Sequence, residues 1–161
     1  MDLGLNGKNA IITGGSDGIG LSAAISLSRE GANVAILART QEKLDNAVKE
    51  IEKDAKGKVM AISTDVREEA SVINSINQVR DEFGNIDILV NNAGTSSASP
   101  LEEMTNEQLT EDLNLKVYGA IYCARAVIED MKSSGSGSVD VKKLKCQTVL
   151  NTCLLYTSPS P

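Results

Sequence analysis

The stretch TGGSDGIG, Thr13 to Gly20, decides the fold because it joins a strand pattern to a helix pattern. The residues NAIITGG at 9–15 are apolar and β-branched until they reach the glycines, which predicts a buried strand. The residues IGLSAAISLSREG at 19–31 predict a helix that ends at Gly31. A glycine-rich turn between a strand and a helix is typical of a phosphate-binding site, because the amino end of the helix presents free N–H groups.

Strand and helix patterns continue to alternate along the chain. Apolar runs predict further strands at 32–38, 58–63 and 86–90. Helical patterns predict helices at 41–55, at 68–84 and, after a capping box at Thr105–Gln108, from 105 to about 132. Such alternation builds a parallel sheet with helices on both faces. We therefore predict an α/β fold with a Rossmann-type, doubly wound parallel sheet.

Composition narrows the class of protein. The 161 residues suffice for one domain, and 41% apolar with 24% charged residues is ordinary for a globular protein. A net charge of −6 with mixed signs argues against nucleic-acid or membrane partners, and no apolar run is long enough to span a bilayer. The amino-terminal residues lack the pattern of a signal peptide. Three cysteines without CxxC spacing, and no histidine, favour a cytoplasmic protein with no metal site.

Each glycine of the turn has a distinct expected role. Gly14 would allow the tight turn, Gly18 would let the backbone approach a pyrophosphate, and Gly20 would let the helix pack closely on the sheet. A plain glycine turn without a ligand is the alternative interpretation. The position of the glycines between a strand and a helix favours the binding site.

Four motifs in this order resemble the short-chain dehydrogenase/reductase family. They are TGGSDGIG at 13–20, TDV at 64–66, NNAG at 91–94 and DLNL at 112–115. The resemblance runs from about Lys8 to Ser138 and is strongest to the classical branch, which includes 3-oxoacyl-ACP reductases. It implies an NAD(P)-dependent oxidoreductase that transfers hydride between a nicotinamide and a small carbonyl or alcohol substrate, with a full-length parent that is a homo-oligomer.

The resemblance also implies roles for individual residues. The pyrophosphate would be lined by Gly14, Ser16, Asp17, Gly18, Ile19 and Gly20. The adenine would be held by Asp65 and Val66, and the cofactor ribose would lie over Asn92, Ala93 and Gly94. Asn114 matches the helix asparagine that holds the water of the family's proton relay. For the neighbouring Asn91 we favour a structural role, tying the fourth strand to its neighbour.

The end of the second strand predicts the cofactor. An NAD enzyme usually has an acid there to accept a hydrogen bond from the ribose 2′-OH. This chain has LART at 37–40, which puts Ala38 at that position and Arg39 after it. A guanidinium binds phosphate oxygens in pairs, so we predict NADP rather than NAD. The alternative is that Arg39 is only a solvated surface residue.

The family's proton-transfer residues are missing from the sequence. The resemblance implies a serine after a fifth strand, and then a tyrosine followed four residues later by a lysine. Tyr156 lies at about the expected distance, but it is followed by Pro159 and Ser160, and Lys143 stands where the serine is expected. The chain therefore carries no complete catalytic set, and we expect Tyr156 not to be catalytic.

The last residues explain this departure. CLLYTSPSP at 153–161 resembles the translation of a transposase-type sequencing adapter, and the departure from the family begins near Asp140. We therefore interpret 1–138 as an incomplete NAD(P)-binding domain and 139–161 as an aberrant tail. A fifth strand at 138–144 is doubtful because the segment is charged. We then expect an unpaired edge on the fourth strand and partial exposure of four apolar side chains of the last helix, Leu109, Leu113, Val117 and Ile121.

Three hypotheses remain open. The chain is a fragment of an oxidoreductase of this family, a dinucleotide-binding module without catalysis, or a truncated product without a stable fold. The cofactor motifs favour the first two, and the missing serine, tyrosine and lysine separate them.

Overall fold

The computed structural model describes residues 3–94, 101–134 and 149–151. The strands are β1 (Asn9–Thr13), β2 (Asn33–Ala38), β3 (Val59–Ser63), β4 (Ile88–Asn91) and β5 (Val149–Asn151). The helices are α1 (Gly18–Arg29), α2 (Gln41–Glu52), α3 (Glu69–Phe83), α4 (Asn106–Leu113) and α5 (Gly119–Ser133). A short 3₁₀ helix (Leu101–Glu103) precedes α4, and a π-helical turn (Asn114–Tyr118) joins α4 to α5. No helix in the described ranges is both long and apolar enough to cross a membrane.

The five strands form one parallel sheet in the order β3-β2-β1-β4-β5. Ile11 at the middle of β1 lies beside Ala35 of β2 and Leu89 of β4. From β1 the chain adds β2 and β3 on one side and then returns to add β4 and β5 on the other. This order confirms the predicted doubly wound α/β fold.

Each face of the sheet carries its own hydrophobic core. Ala10 and Ile12 of β1 pack with Ala24 of α1 and Leu44 of α2 on one face. Ile11 points to the opposite face, where its cluster contains these buried hydrophobic residues of α3 and α5: Val72, Ile76, Val79, Cys123, Val127 and Met131. Burial on both faces is why the strands are continuously apolar rather than alternating.

Hydrogen bonds from side-chain amides link the amino ends of the strands. Asn9 donates from Nδ2 to the carbonyls of Phe83 and Asn85, both at 2.8 Å. Its Oδ1 accepts from the Asn33 amide at 2.9 Å, and Asn33 in turn accepts from the backbone N–H of Lys58 at 2.9 Å. The network links the starts of β1 and β2 to the residue before β3 and to the end of α3.

A buried carboxylate fixes α5 against α3. Asp130 accepts two hydrogen bonds from Nε of Arg80, at 2.8 and 3.1 Å, and one from the Ile86 N–H at 3.3 Å. Arg80 also donates to the carbonyl of Ala126. These bonds join α5 to α3 and to the segment that enters β4.

The last helix differs in part from its prediction. The capping box is confirmed, with the Thr105 side chain accepting from the Gln108 N–H and the Gln108 side chain accepting from the Thr105 N–H. The prediction of one uninterrupted helix is wrong, because the π turn at Asn114–Tyr118 interrupts it and Gly119 donates to the carbonyl of Asn114, five residues back. The turn brings Gly119 against Val66, where a Cβ would lie 3.0 Å from a Val66 methyl carbon.

The outer edge of β4 is paired. Leu89, Val90 and Asn91 pair with Val149, Leu150 and Asn151 of β5. The expectation of an unpaired edge is therefore wrong over these three positions, because the fifth strand is built by residues beyond 138–144. That charged segment, the CLLYTSPSP stretch and Lys143 lie outside the described residues, as do Tyr156, Pro159 and Ser160. The aberrant origin of 139–161 stays a prediction.

The four apolar side chains that we expected to be partly exposed on α4, the π turn and α5 are partly exposed. Leu109 is 46% exposed, Leu113 45%, Val117 40% and Ile121 44%. Tyr118, within the same helical segment, is 50% exposed. This uncovered surface contrasts with the opposite side of α5, where Cys123 and Val127 are fully buried.

The thiol of Cys123 reports on whether α5 is packed on the sheet. Burial raises the pKa of the Cys123 thiol to about 12, and the thiolate is the reactive form. In a Cys146→Ser, Cys153→Ser chain, which leaves Cys123 as the only thiol, we expect no reaction with an aromatic disulfide reagent at about pH 8. The same chain unfolded in guanidinium chloride is the control and should react fully. Equal rates in the two solutions would mean that this core does not form.

Candidate functional site

The carboxyl ends of β1 and β4 enclose the candidate site. β1 and β4 are adjacent, but the chain after β1 leads to β2 on one side and the chain after β4 leads to β5 on the other. The loops that follow β1 and β4 therefore diverge. Ligands of doubly wound proteins bind in the crevice at such a point.

The glycines of the turn have the geometry expected of them. Gly14 has φ 65°, and a Cβ there would lie 2.9 Å from the Asn92 amide nitrogen. A Cβ on Gly20 would collide with the Gly14 carbonyl and with the same amide. Gly18 has φ 52°, and a Cβ there would meet no atom within 4 Å, so this part of the backbone faces open space. Gly14 and Gly20 therefore allow close packing, and Gly18 leaves room for a ligand.

Thr13 joins the turn to the segment after β4. Its hydroxyl accepts from the backbone N–H groups of Asn92 and Ala93, each at 3.0 Å, and lies 3.4 Å from the Val90 carbonyl to which it donates. Asn92 returns the contact from its side-chain amide, which donates to the carbonyls of Thr13 at 3.1 Å and Gly14 at 3.0 Å. The sequence reasoning missed Thr13; its signal was a hydroxyl at the last position of a buried strand.

The residues that begin α1 lie open to the crevice. Asp17 caps the helix, accepting from the Gly18 N–H at 2.7 Å. Asp17, Gly18 and Ile19 are exposed, Ile19 by 61%, and Ser16 is half-buried. The Asp17 carboxylate also lies 3.7 Å from Nζ of Lys43 in α2, an exposed pair that contributes little to stability. The open amino end of α1 is the part of the site suited to an anion.

The carboxyl ends of β2 and β3 lie on the β2 side of the candidate site. The Thr64 N–H donates to the Ala38 carbonyl at 2.9 Å, and the Ser63 hydroxyl donates to the Arg39 carbonyl at 3.1 Å. Arg39 is exposed, and its guanidinium forms no hydrogen bond or ion pair within the part of the chain that the structure describes. Arg39 is thus held by its backbone with its charge free for a ligand.

Asp65 and Val66 differ in character. Arg67 binds the carboxylate of Asp65 through both oxygens, and this hydrogen bonding, together with the positive charge of Arg39, lowers the pKa of Asp65. Val66 is 5% exposed and belongs to the core between the sheet, α3 and α5. A contact of Val66 with an adenine stays a prediction, and it would have to use the backbone.

The NNAG segment is divided between structural and open positions. Asn91 is buried and donates from its side chain to the Ala120 carbonyl of α5 at 3.2 Å, which agrees with a structural role. Asn92 and Ala93 are half-buried against the glycine turn, and Gly94 is exposed. Asn92 and Ala93 therefore lie next to Gly14, as a shared cofactor site requires.

Asn114 lies at the first position of the π turn, on a different element. It is half-buried and lines an open pocket of about 320 Å³ with Thr110, Leu113, Tyr118 and Tyr122. The Asn91–Ala120 hydrogen bond connects its helical segment to β4. Because π turns occur often at functional sites, this turn supports a functional role for Asn114. The helical pattern of the sequence did not predict the turn.

Comparison with known proteins identifies the family. A family model described as short chain dehydrogenase matches residues 8–141. The chain belongs to the short chain dehydrogenase family. It is 38% identical over 141 residues to a 3-dehydrosphinganine reductase of Danio rerio, covering 85% of this chain and 42% of that protein. It is 34% identical over 135 residues to a gluconate 5-dehydrogenase of Gluconobacter oxydans, with 84% and 52% covered.

A solved structure supports the same assignment. The L-sorbose reductase of Gluconobacter frateurii, complexed with NADPH and L-sorbose, matches with a TM-score of 0.79 and 36% identity, covering 84% of this chain and 51% of that one. The chain thus spans about half the length of these relatives.

Within the described ranges, no three His, Cys, Asp or Glu side chains are grouped so as to hold a metal ion.

Removing the Thr13 hydroxyl should loosen the site and the fold together. Thr13→Val keeps the shape but leaves the Asn92 and Ala93 N–H groups without their acceptor, so we expect the free energy of unfolding to fall by about 1–3 kcal/mol. Urea unfolding measures the change. Thr110→Val is the matched control, since that hydroxyl is exposed and, among the described residues, bonds only to the Asn106 carbonyl at 2.8 Å. It should stay within about 0.5 kcal/mol of wild type. Equal losses for both variants would contradict the role of Thr13.

Proposed function

We propose that the parent of this chain is an NADP-dependent oxidoreductase that transfers hydride between the nicotinamide and a small carbonyl or alcohol substrate. The observation that carries the proposal is the open glycine turn held against the NNAG segment by Thr13 and Asn92. Family membership and a relative complexed with NADPH support it. The relatives act on different substrates, so the proposal names only the shared carbonyl or alcohol chemistry.

The described residues fit a dinucleotide. The first turn of α1, with Gly18 facing open space, suits a pyrophosphate, because its N–H groups and the helix dipole favour negative charge. Ile19 offers an exposed apolar side chain beside it. Arg39 suits a 2′-phosphate, and Asp65 suits an amine donor such as that of adenine. A bound nicotinamide cofactor would supply or accept the hydride.

Asn114 is the one candidate for a catalytic role among the described residues. Its side chain lines the pocket at the π turn, where an amide could hold a water that passes a proton. The serine, tyrosine and lysine that the family uses for proton transfer are not assembled in this sequence, which contains no tyrosine followed four residues later by lysine. We propose that the 161-residue chain binds cofactor without catalysing its reaction.

Two further points remain proposals. The exposed apolar side chains of α4 and α5 support a parent that assembles as a homo-oligomer, because isolated apolar stripes of this kind are usually covered. The cytoplasmic location and the absence of nucleic-acid and membrane partners stay predictions from composition. A dinucleotide-binding module without catalysis is the second candidate function, favoured by the missing tyrosine and lysine.

Cofactor choice tests the binding half of the proposal. A charged hydrogen bond is worth about 1.5–3 kcal/mol, so we expect the chain to bind NADPH about tenfold or more tightly than NADH. Ala38→Asp should reverse the order, because its carboxylate repels a 2′-phosphate and accepts from a 2′-OH. Titration of the fluorescence of the reduced cofactors measures both affinities. Gln78→Glu adds the same charge on the exposed face of α3 and should preserve the preference. Equal affinities in the wild-type chain would sink the NADP assignment.

Turnover tests the catalytic half. General acid–base help is worth about 10²–10⁴ in rate, so without the tyrosine–lysine pair we expect no detectable NADPH-dependent carbonyl reduction by the 161-residue chain. Tyr156→Phe should change nothing. The assay follows NADPH absorbance with a set of small ketones. Turnover that disappears in the Tyr156→Phe variant would show that this tyrosine is catalytic and that the chain is an enzyme as it stands.

A further inference from the structure

Arg67 binds both oxygens of the Asp65 carboxylate. Nε of Arg67 lies 3.0 Å from Oδ1 and 3.1 Å from Oδ2, and Nη2 lies 2.6 Å from Oδ2. The backbone N–H of Arg67 adds a fourth hydrogen bond, 3.0 Å to Oδ1. Both side chains are half-buried, with 36% of Arg67 and 28% of Asp65 exposed. A pair bound in this two-pronged geometry is more rigid than an ordinary surface ion pair.

Arg39 is a second guanidinium within electrostatic reach of the same carboxylate. The Asp65 carboxyl has a lowered pKa chiefly because of Arg67 and in smaller part because of the charge of Arg39. The hydrogen bonds between the ends of β2 and β3 keep Arg39 and Asp65 on neighbouring elements. Yet Arg39 forms no ion pair with Asp65 in the part of the chain described here. The Asp65 carboxylate therefore experiences the charge of two guanidiniums, and within the described residues it is hydrogen-bonded only to that of Arg67.

We propose that Arg67 is a positioning residue for cofactor selection: by engaging both oxygens of Asp65 it keeps that carboxylate from pairing with Arg39, and so leaves Arg39 free for a 2′-phosphate. The proposal rests on the proposed function, since it concerns the same cofactor site. It adds a residue that acts through Asp65 and not by touching the cofactor.

Two effects follow if Arg67 is removed. The released Asp65 carboxylate competes with the 2′-phosphate for Arg39, and it repels the phosphate by charge. Glu68 and Glu111, whose charges also act on Arg67, lose their counter-charge and add to that repulsion. NADH carries no 2′-phosphate, so its binding avoids both effects. The ratio of the NADH to the NADPH dissociation constant therefore isolates this role from general damage to the site.

The experiment measures that ratio by cofactor fluorescence in the full chain. For Arg67→Gln we expect the ratio to fall about fivefold or more. This is the effect on affinity expected when one unpaired negative charge repels a phosphate near the protein surface. Arg67→Lys keeps the charge but not the two-pronged geometry, so we expect a smaller fall than for Arg67→Gln. Arg29→Gln is the matched control, because it removes a guanidinium paired with Asp54 in an exposed ion pair elsewhere. It should leave the ratio unchanged.

A second substitution separates action through Asp65 from direct contact. With Asp65→Asn already present, adding Arg67→Gln should lower the ratio clearly less, because the charge that Arg67 holds is gone and only Glu68 and Glu111 lose their counter-charge. A fall of the same size in both backgrounds would overturn the proposal and would mean that Arg67 binds the phosphate itself. An unchanged ratio for Arg67→Gln alone would also overturn it. If the wild-type chain binds neither cofactor, the proposed function fails first and this proposal fails with it.

Discussion

The position of β1 between β2 and β4 is the constraint on which the rest of the molecule depends. Because all three strands are parallel, their carboxyl ends meet at one edge, and the chain leaves that edge in opposite directions on the two sides of β1. The loops must therefore part there. Thr13, the last residue of β1, limits how far they part, because its one hydroxyl serves the N–H groups of both Asn92 and Ala93. The crevice therefore depends on β1 and on the hydroxyl at its last residue.

The amino ends and the carboxyl ends of the strands are stabilised by different interactions. At the amino ends of the strands, the side chains of Asn9 and Asn33 are hydrogen-bonded to each other, and Lys8 forms an ion pair with Asp87 at 3.0 Å. Within the described residues, every buried side-chain nitrogen and oxygen has a hydrogen-bond partner. At the carboxyl edge, exposed Arg39 keeps its charge toward solvent. The polar groups at the amino ends of the strands are therefore paired within the chain, whereas at the carboxyl ends Arg39 keeps its charge available for a ligand.

The sequence was sufficient for the parts of the structure that depend on local pattern. The apolar runs located β1 to β4, the glycines located the turn, and Gly31 ended α1 with φ 90°, as only a glycine readily does. Features that depend on contacts between distant residues could not be foreseen. The Thr13 hydroxyl gains its role from residues some eighty positions later, and no period marks β5, three residues paired to β4. The Asp65–Arg67 pair is close in sequence, but only the fold brings Arg39 beside it.

The π turn makes the helical segment from Asn106 to Ser133 one residue longer than its span along the axis requires. An α-helix turns about 100° per residue, so the extra residue offsets the face of α5 from that of α4 by roughly that angle. The turn thus behaves as a one-residue insertion that the helix has absorbed without breaking. If the same residues formed an uninterrupted α-helix without the π turn, Ile121 would be turned by about 100° relative to Leu109 and Leu113. The register of this surface, and the orientation of Asn114, are set by chain length as much as by residue identity.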